Sequence, residues 1–228
     1  EYELKLSEAA QEVQTNPHLN MTYYFQSMFL YYILQDYDQT KYNAEKYFEF
    51  NLHSWSLLFI HTAHAFYSGL AAFWIYRKTN NPVWAERGHK ATLAMQKWAE
   101  SASQHNFQHK LFLMEAEYAY CNNDFDSANS YYKLAIATAK KHRFLNDEAL
   151  ACELAGHFCL DALGDNDSAL QYFLQAHSKY HEWGAIAKAN LLFESVLRRL
   201  SLSTTLPVDL NSAASSMDDL GISDESNR

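Results

Sequence analysis

The sequence predicts an all-α fold, an α-solenoid of antiparallel helical hairpins followed by a disordered C-terminal tail. Only 6 glycines and 3 prolines occur in 228 residues, so long stretches carry no helix breaker. A pattern of small and aromatic residues recurs at helical spacing. Short clusters of Asn and Asp separate the helical stretches at intervals typical of hairpin turns.

The recurring pattern places a small residue, an aromatic ring and a second small residue on one helical face. Small residues allow a neighbouring helix to approach, and the ring fills the space beside them. This arrangement is typical of stacked helical hairpins. The predicted packing residues are Phe125, Ala128, Tyr132 and Ala135 in the first copy, and Ala169, Phe173 and Ala176 in the second.

The spacing of the two copies is irregular for a tetratricopeptide (TPR) array. Ala128 and Ala169 are 41 residues apart (169 − 128), whereas a TPR unit has about 34 residues. Ala116 does lie twelve residues before Ala128, where a TPR hairpin places its first small residue, but His157 holds that position in the second copy. We therefore describe the predicted fold as TPR-like.

Helix-breaking and helix-capping residues divide the first half of the chain into helical segments. Asn16-Pro17 and residues 80–82 (Asn-Asn-Pro) are helix-breaking turns, and Ser54 fits an N-cap. Apolar residues between these breaks follow helical spacing. We expect the end of one helix over residues 1–15, a short turn at 36–38, and helices over 18–34, 40–52, 55–77 and 83–100.

Similar signals divide the second half. Residues 122–124 (Asn-Asn-Asp) and 165–167 (Asp-Asn-Asp) are turn sequences, and Gly184 fits a helix C-cap. The polar residues 101–106 are predicted to form a loop. We expect helices over 107–121, 126–142, 146–164, 168–183 and 185–200.

Composition excludes several classes of partner. The net charge of −9 argues against a broad basic face for nucleic acid. The most apolar stretch, residues 56–76, contains His61 and His64 and is interpreted as a buried helix rather than a membrane span. Three cysteines do not make a disulfide framework, and no signal peptide is visible. We expect a cytoplasmic protein with no nucleic-acid or membrane partner.

The composition also predicts two regions. Residues 1–200 form the repeat domain, and residues 201–228 form a flexible, acidic and Ser-rich linker or tail, because so few apolar residues cannot offset the entropy of ordering. Residue 1 is Glu rather than Met and stands inside a helical stretch. This indicates a segment of a longer protein.

Several phrases of the sequence resemble one known family. MQKWAE (95–100), NFQHKLFLMEAE (106–117), FLNDEALACELAGHF (144–158) and YHEWGAIAKANLL (180–192) are similar to the helical repeat region of very large multi-sensor signalling kinases. The similarity covers roughly residues 55–200. In that family a serine/threonine kinase-like domain and an AAA/STAND ATPase module precede the repeats, and GAF or PAS sensors and histidine-kinase outputs follow.

The resemblance implies a role in signal transduction without an activity for this segment. No P-loop, HRD or DFG motif is present. We expect no catalytic residue, no cofactor and no metal here. Any ATP-dependent kinase activity would belong to other domains of the parent protein.

Paired histidines leave a metal-dependent helical-bundle enzyme as an alternative. His177 and His181 are four residues apart, as are His105 and His109, so each pair shares a helical face. A zinc site needs three or four ligands, however, and neither pair has a HExxH context.

A helical solenoid offers one continuous concave groove, and this is the expected functional surface. We expect its residues to come from the first helix of each hairpin: Lys110, Met114, Glu117, Tyr118, Tyr120, Glu153 and His157. The acidic composition favours a basic, apolar or intramolecular partner. The predicted function is protein–protein or interdomain interaction in a large signalling ATPase/kinase. A stand-alone TPR-type adaptor is a further alternative.

Overall fold

The computed structural model describes residues 16–50 and 58–203. All regular structure in these two ranges is helical, which confirms the all-α prediction. The helices are α1 (Pro17–Ile33), α2 (Tyr37–Tyr47), α3 (Leu58–Thr79), α4 (Pro82–Ser101), α5 (Gln104–Cys121), α6 (Phe125–His142), α7 (Leu145–Phe158, extended by a π-helical turn, Cys159–Leu163), α8 (Asn166–Trp183) and α9 (Ile186–Ser203).

Consecutive helices pack in pairs as hairpins: α1 with α2, α3 with α4, α5 with α6, and α7 with α8, while α9 packs on α8. The first helices of the hairpins also contact one another, α1 with α3, α3 with α5, and α5 with α7. They form an inner layer, and the second helices lie outside it. This is the predicted solenoid of helical hairpins.

Most helices begin at a polar residue whose side chain caps the first turn. Asp124 accepts a hydrogen bond from the Ser127 amide at 3.2 Å, and Asp165 accepts one from the Ser168 amide at 3.0 Å. Asp36 caps α2 in the same way. The predicted turn at 36–38 is therefore shorter than expected, since α2 already begins at Tyr37.

The predicted loop at residues 101–106 is wrong. Helix α4 continues through Ser101, and α5 begins at Gln104 because Ser103 caps it through a 3.3 Å hydrogen bond from the Asn106 amide. Polar residues here cap and begin a helix, so polarity alone did not indicate a loop.

Helix ends are set by left-handed residues. Six of the seven connections between helices in the described part of the chain contain one residue of positive φ: Gln35, Asn80, Asn123, Arg143, Gly164 and Gly184. A left-handed residue after the last helical turn closes that turn and reverses the chain within two or three residues. The short connections keep neighbouring helices antiparallel.

The residues of the small-and-aromatic pattern lie inside the stack. Ala116, Ala128, Tyr132, Ala135, Ala169, Phe173 and Ala176 are all buried, and Phe125 is partly buried against the same core. The Phe173 ring of α8 lies so close to Gly156 of α7 that a Cβ there would be about 2.7 Å from it. Close approach of the two helices therefore needs a glycine at this position.

Three expectations fall outside the described residues. These are the helix end over residues 1–15, the cap at Ser54, and the tail from residue 204 onward. Among the residues that are described, no helix is both long and apolar enough to cross a membrane.

We predict that Ala128→Arg prevents cooperative folding or lowers the free energy of unfolding by at least ~3 kcal/mol, because a charge would enter a fully buried contact. Urea denaturation followed by circular dichroism measures the change. Leu134→Arg is the control, since Leu134 is exposed on the same helix. Similar unfolding curves for the two variants would contradict the packing described above.

Candidate functional site

The inner layer of first helices encloses a cavity of about 590 Å³ that opens to solvent. Its walls combine aromatic rings with charged side chains from five first helices and from the start of α2. The lining residues are Tyr32, Gln35, Tyr37, Trp74, Arg77, Lys78, Glu117, Tyr120, Leu154, His157, Asp161, Ser195 and Arg199.

An ion pair between α3 and α5 stands in one wall of the cavity. Arg77 Nη1 lies 2.7 Å from Glu117 Oε2, and the Glu117 side chain is only 1% exposed. The Tyr132 hydroxyl of α6 donates to the other carboxylate oxygen. The Arg77 guanidinium also lies over the Tyr120 ring, 4.5 Å from its centroid. The buried carboxylate thus has a cation and a hydroxyl donor as partners.

A second buried carboxylate, Glu153 of α7, has equivalent partners. The Tyr180 hydroxyl of α8 donates to Oε2 at 2.7 Å, and Lys188 Nζ of α9 donates to Oε1 at 2.5 Å. Both hairpins therefore use a buried Glu on the first helix and a tyrosine on the second. The cation comes from a neighbouring first helix in both cases.

The rim of the cavity near α9 holds a group of three side chains. Arg199 donates to His157 Nδ1 at 3.0 Å and pairs with Asp161. Burial, together with the positive charge of Arg199, lowers the pKa of His157 to about 3. His157 is therefore neutral near pH 7, and its proton resides on Nε2 because Nδ1 accepts from Arg199.

Three polar atoms of cavity-lining residues have no hydrogen-bond partner among the described residues. One is Glu117 Oε2, which is held by the ion pair with Arg77. The other two are the Tyr32 hydroxyl and His157 Nε2, and the latter lies 3.9 Å from Oε1 of Glu153. Tyr32 is 1% exposed. The hydroxyl and Nε2 each carry a hydrogen, so two buried donors beside the cavity lack an acceptor.

A further polar cluster lies elsewhere on α5 and α7. Asp147 accepts a hydrogen bond from His109 Nε2 at 2.8 Å and also contacts Lys110. Burial opposes the charge of Asp147, but the bond from His109 and the charge of Lys110 outweigh it and lower its pKa. His109 stacks on Phe144. None of these residues lines the cavity, so the cluster joins helices rather than binding a ligand there.

The structure brings together three of the groove residues that the sequence predicts. Glu117, Tyr120 and His157 line the cavity, and Glu153 lies buried behind it. Three others do not line it. Lys110 belongs to the Asp147 cluster; Met114 is fully buried in the core, and Tyr118 stacks on His89 of α4. All three residues come from a first helix, but they lie at other positions around its axis and do not line the cavity.

Sequence reasoning did not identify four important residues, Tyr32, Trp74, Arg77 and Lys78. Arg77 follows the apolar stripe formed by Leu70 and Trp74 on the most apolar helix. A charge at the end of such a stripe marks a polar site on the inner face. Three cations near the end of the described chain have separate partners. Lys188 pairs with Glu153, Arg199 with Asp161, and Arg198 with Glu194 on the exposed side.

The histidine pairs do not assemble into a larger ligand group. The rings of His177 and His181 lie 6.5 Å apart, and His105 packs against His142. Within residues 16–50 and 58–203, no three His, Cys, Asp or Glu side chains are placed to hold a metal ion.

Comparisons with known proteins do not identify a family for this chain. No protein-family model matches this chain, and neither the curated proteins nor the solved structures searched contain a match. The site must therefore be interpreted from its own geometry.

We predict that Glu117→Gln lowers the free energy of unfolding by about 1–3 kcal/mol, because Arg77, only 18% exposed, loses its counter-charge. The Gln oxygen can still accept from Tyr132, so the change tests the ion pair. Glu194→Gln removes the matching charge from an exposed pair and should have little effect. Equal decreases in the free energy of unfolding would show that the buried ion pair stabilises the fold no more than an exposed one.

We also predict that His157 makes the fold sensitive to acid. An unfolded histidine titrates near pH 6.5, whereas folded His157 does so at about 3. Between these values the unfolded chain binds one more proton, so stability falls as the pH falls, by up to about 1.4 kcal/mol per pH unit. His157→Asn should flatten this dependence in urea titrations between pH 7 and 4.

The comparison variant is His181→Asn, because His181 lies on the exposed side of α8. A pH dependence that is the same in both variants would show that His157 is not protonated on unfolding.

Proposed function

We propose that this chain is a protein–protein or interdomain interaction module of a signal-transduction ATPase/kinase. The observation that carries the proposal is the continuous inner layer of first helices, whose side chains build one open cavity with aromatic and charged walls. Stacked helical hairpins commonly bind partners on such a surface. The module binds rather than catalyses.

The signalling context rests on the resemblance of four phrases to the repeat region of multi-sensor kinases. Two of the phrases, 106–117 and 144–158, supply Glu117, Glu153 and His157. Three of the thirteen residues that line the cavity, Glu117, Leu154 and His157, thus lie in phrases that resemble that family. This supports a role in which the repeats couple an upstream ATPase/kinase to downstream output domains, and it supports a cytoplasmic location for the module.

The difference between the charge of the cavity lining and the net charge of the protein supports a partner that binds the inner face. The protein has a net charge of −9, yet three cations and two carboxylates line the cavity. An acidic or polar segment of a neighbouring domain would therefore be attracted to the cavity and repelled by much of the remaining surface. Our sequence-based expectation was a basic, apolar or intramolecular partner. A segment of a neighbouring domain is intramolecular, but its acidic character differs from that expectation because Arg77 and Lys78 were not identified from the sequence.

Site-specific photo-crosslinking tests the proposed surface. A p-benzoylphenylalanine at Gln35, on the cavity, should form one dominant protein or interdomain crosslink in cells that make the natural protein. The same group at Lys97, exposed on α4, should not form that crosslink. Crosslinks that are equal at both positions, or absent at Gln35, would contradict a partner on the inner face.

The size of the natural polypeptide tests the kinase context separately. An antibody against this chain should detect a band far above 26.4 kDa in extracts of the source cells. A band near 26.4 kDa would exclude the large-kinase context and favour a stand-alone adaptor.

A further inference from the structure

We infer that the cavity is a binding site for a small organic anion, a carboxylate or phosphate carried on a planar ring. The inference goes beyond the proposed function, because it makes the inner face responsive to a small molecule as well as to a protein. Four observations support it: the cavity's size, its unsatisfied donors, its charge and its aromatic walls.

The size of the cavity fits a small molecule. Its volume of about 590 Å³ lies within the range of roughly 300–1,000 Å³ that ligand pockets occupy. Helices that are distant in sequence contribute to the walls, which come from α1, α3, α5, α7 and α9.

Two hydrogen-bond donors beside the cavity lack an acceptor, whereas the unpartnered acceptor Glu117 Oε2 is held by the ion pair with Arg77. The Tyr32 hydroxyl is buried and has no partner among the described residues, and the same holds for His157 Nε2. The carboxylate of Glu117 is already engaged by Arg77 and Tyr132, and Asp161 is engaged by Arg199. A ligand that satisfies this site must therefore bring hydrogen-bond acceptors.

The charge of the cavity indicates that these acceptors belong to an anion. Arg77, Lys78 and Arg199 face only two carboxylates, Glu117 and Asp161. Lys78 is exposed at the rim and forms no ion pair with a described residue. His157 is neutral near pH 7, since burial lowers its pKa to about 3. One positive charge is left for the ligand, and a carboxylate or phosphate matches it.

The aromatic walls indicate a planar group beside the anion. The Trp74 ring makes edge-to-face contacts with Tyr32 and Tyr37, at centroid distances of 5.7 and 5.4 Å. Tyr120 also lines the cavity, and its ring lies under the Arg77 guanidinium. Planar apolar groups pack well between such rings.

Isothermal titration calorimetry with three probes tests the inference. 2-Naphthoate and 2-naphthyl phosphate should bind with saturation and a stoichiometry of one. Because the two probes share a ring, whichever binds more tightly identifies the acid group. The neutral 2-naphthamide should bind at least about tenfold more weakly. Equal binding of the amide would overturn the anionic class, and no binding of either anion up to millimolar concentration would overturn the site.

Two variants locate the binding. Tyr32→Phe removes only an unpartnered hydroxyl, so the variant should fold as the unaltered protein does and bind the preferred anion about tenfold more weakly. Lys78→Gln, at an exposed position, should do the same. The matched controls are Tyr31→Phe and Lys97→Gln, which do not line the cavity. Unchanged affinity in both test variants would place the bound anion elsewhere and overturn the inference.

The outcome is independent of the proposed function. Crosslinking at Gln35 reports a protein on the inner face, whereas calorimetry with the isolated chain reports the small anion alone.

Discussion

Two carboxylates that are almost completely removed from water determine how the helices of this protein are arranged. A buried charge is costly unless a cation and hydrogen-bond donors surround it. Glu117 meets this requirement only if α3 and α6 both lie against α5, and Glu153 only if α8 and α9 lie against α7. Alanine and aromatic contacts allow several packings of similar helices, whereas these polar contacts are satisfied in one. We infer that the carboxylates select the register of the stack.

The same polar groups create the cavity. Ion pairs hold Arg77 and Arg199 at its walls, and the helices cannot close over these large charged side chains as they close over alanine. The hairpin layers are tightly packed at Ala128, Ala169 and Gly156 and open along the inner face. Structural stability and a solvent-accessible site thus arise from one pattern: small residues between the helices of a hairpin, and charged residues between hairpins.

The sequence predicts the packing within hairpins better than it predicts the residues of the cavity. Helix positions and the packing of Ala128, Tyr132 and Phe173 follow from local spacing, because those contacts join neighbouring helices. Glu117, Tyr120 and His157 were predicted from their places on first helices. Arg77 and Tyr32 were not, since their importance depends on residues 40 and more positions away along the chain. Periodicity identifies a buried face but gives no information on which charges from distant helices meet there.

The position of α9 has a consequence for the lifetime of the cavity. Repeat proteins behave as a row of units in which each is held only by its neighbours, and units at an end fray more readily than those in the middle. Among the described helices α9 is last in the row, yet it supplies Ser195 and Arg199 to the cavity. Opening of this single helix would dismantle one wall while leaving the Arg77 side intact. The wall formed by α9 would then open more often than the contacts between the hairpins in the middle of the stack.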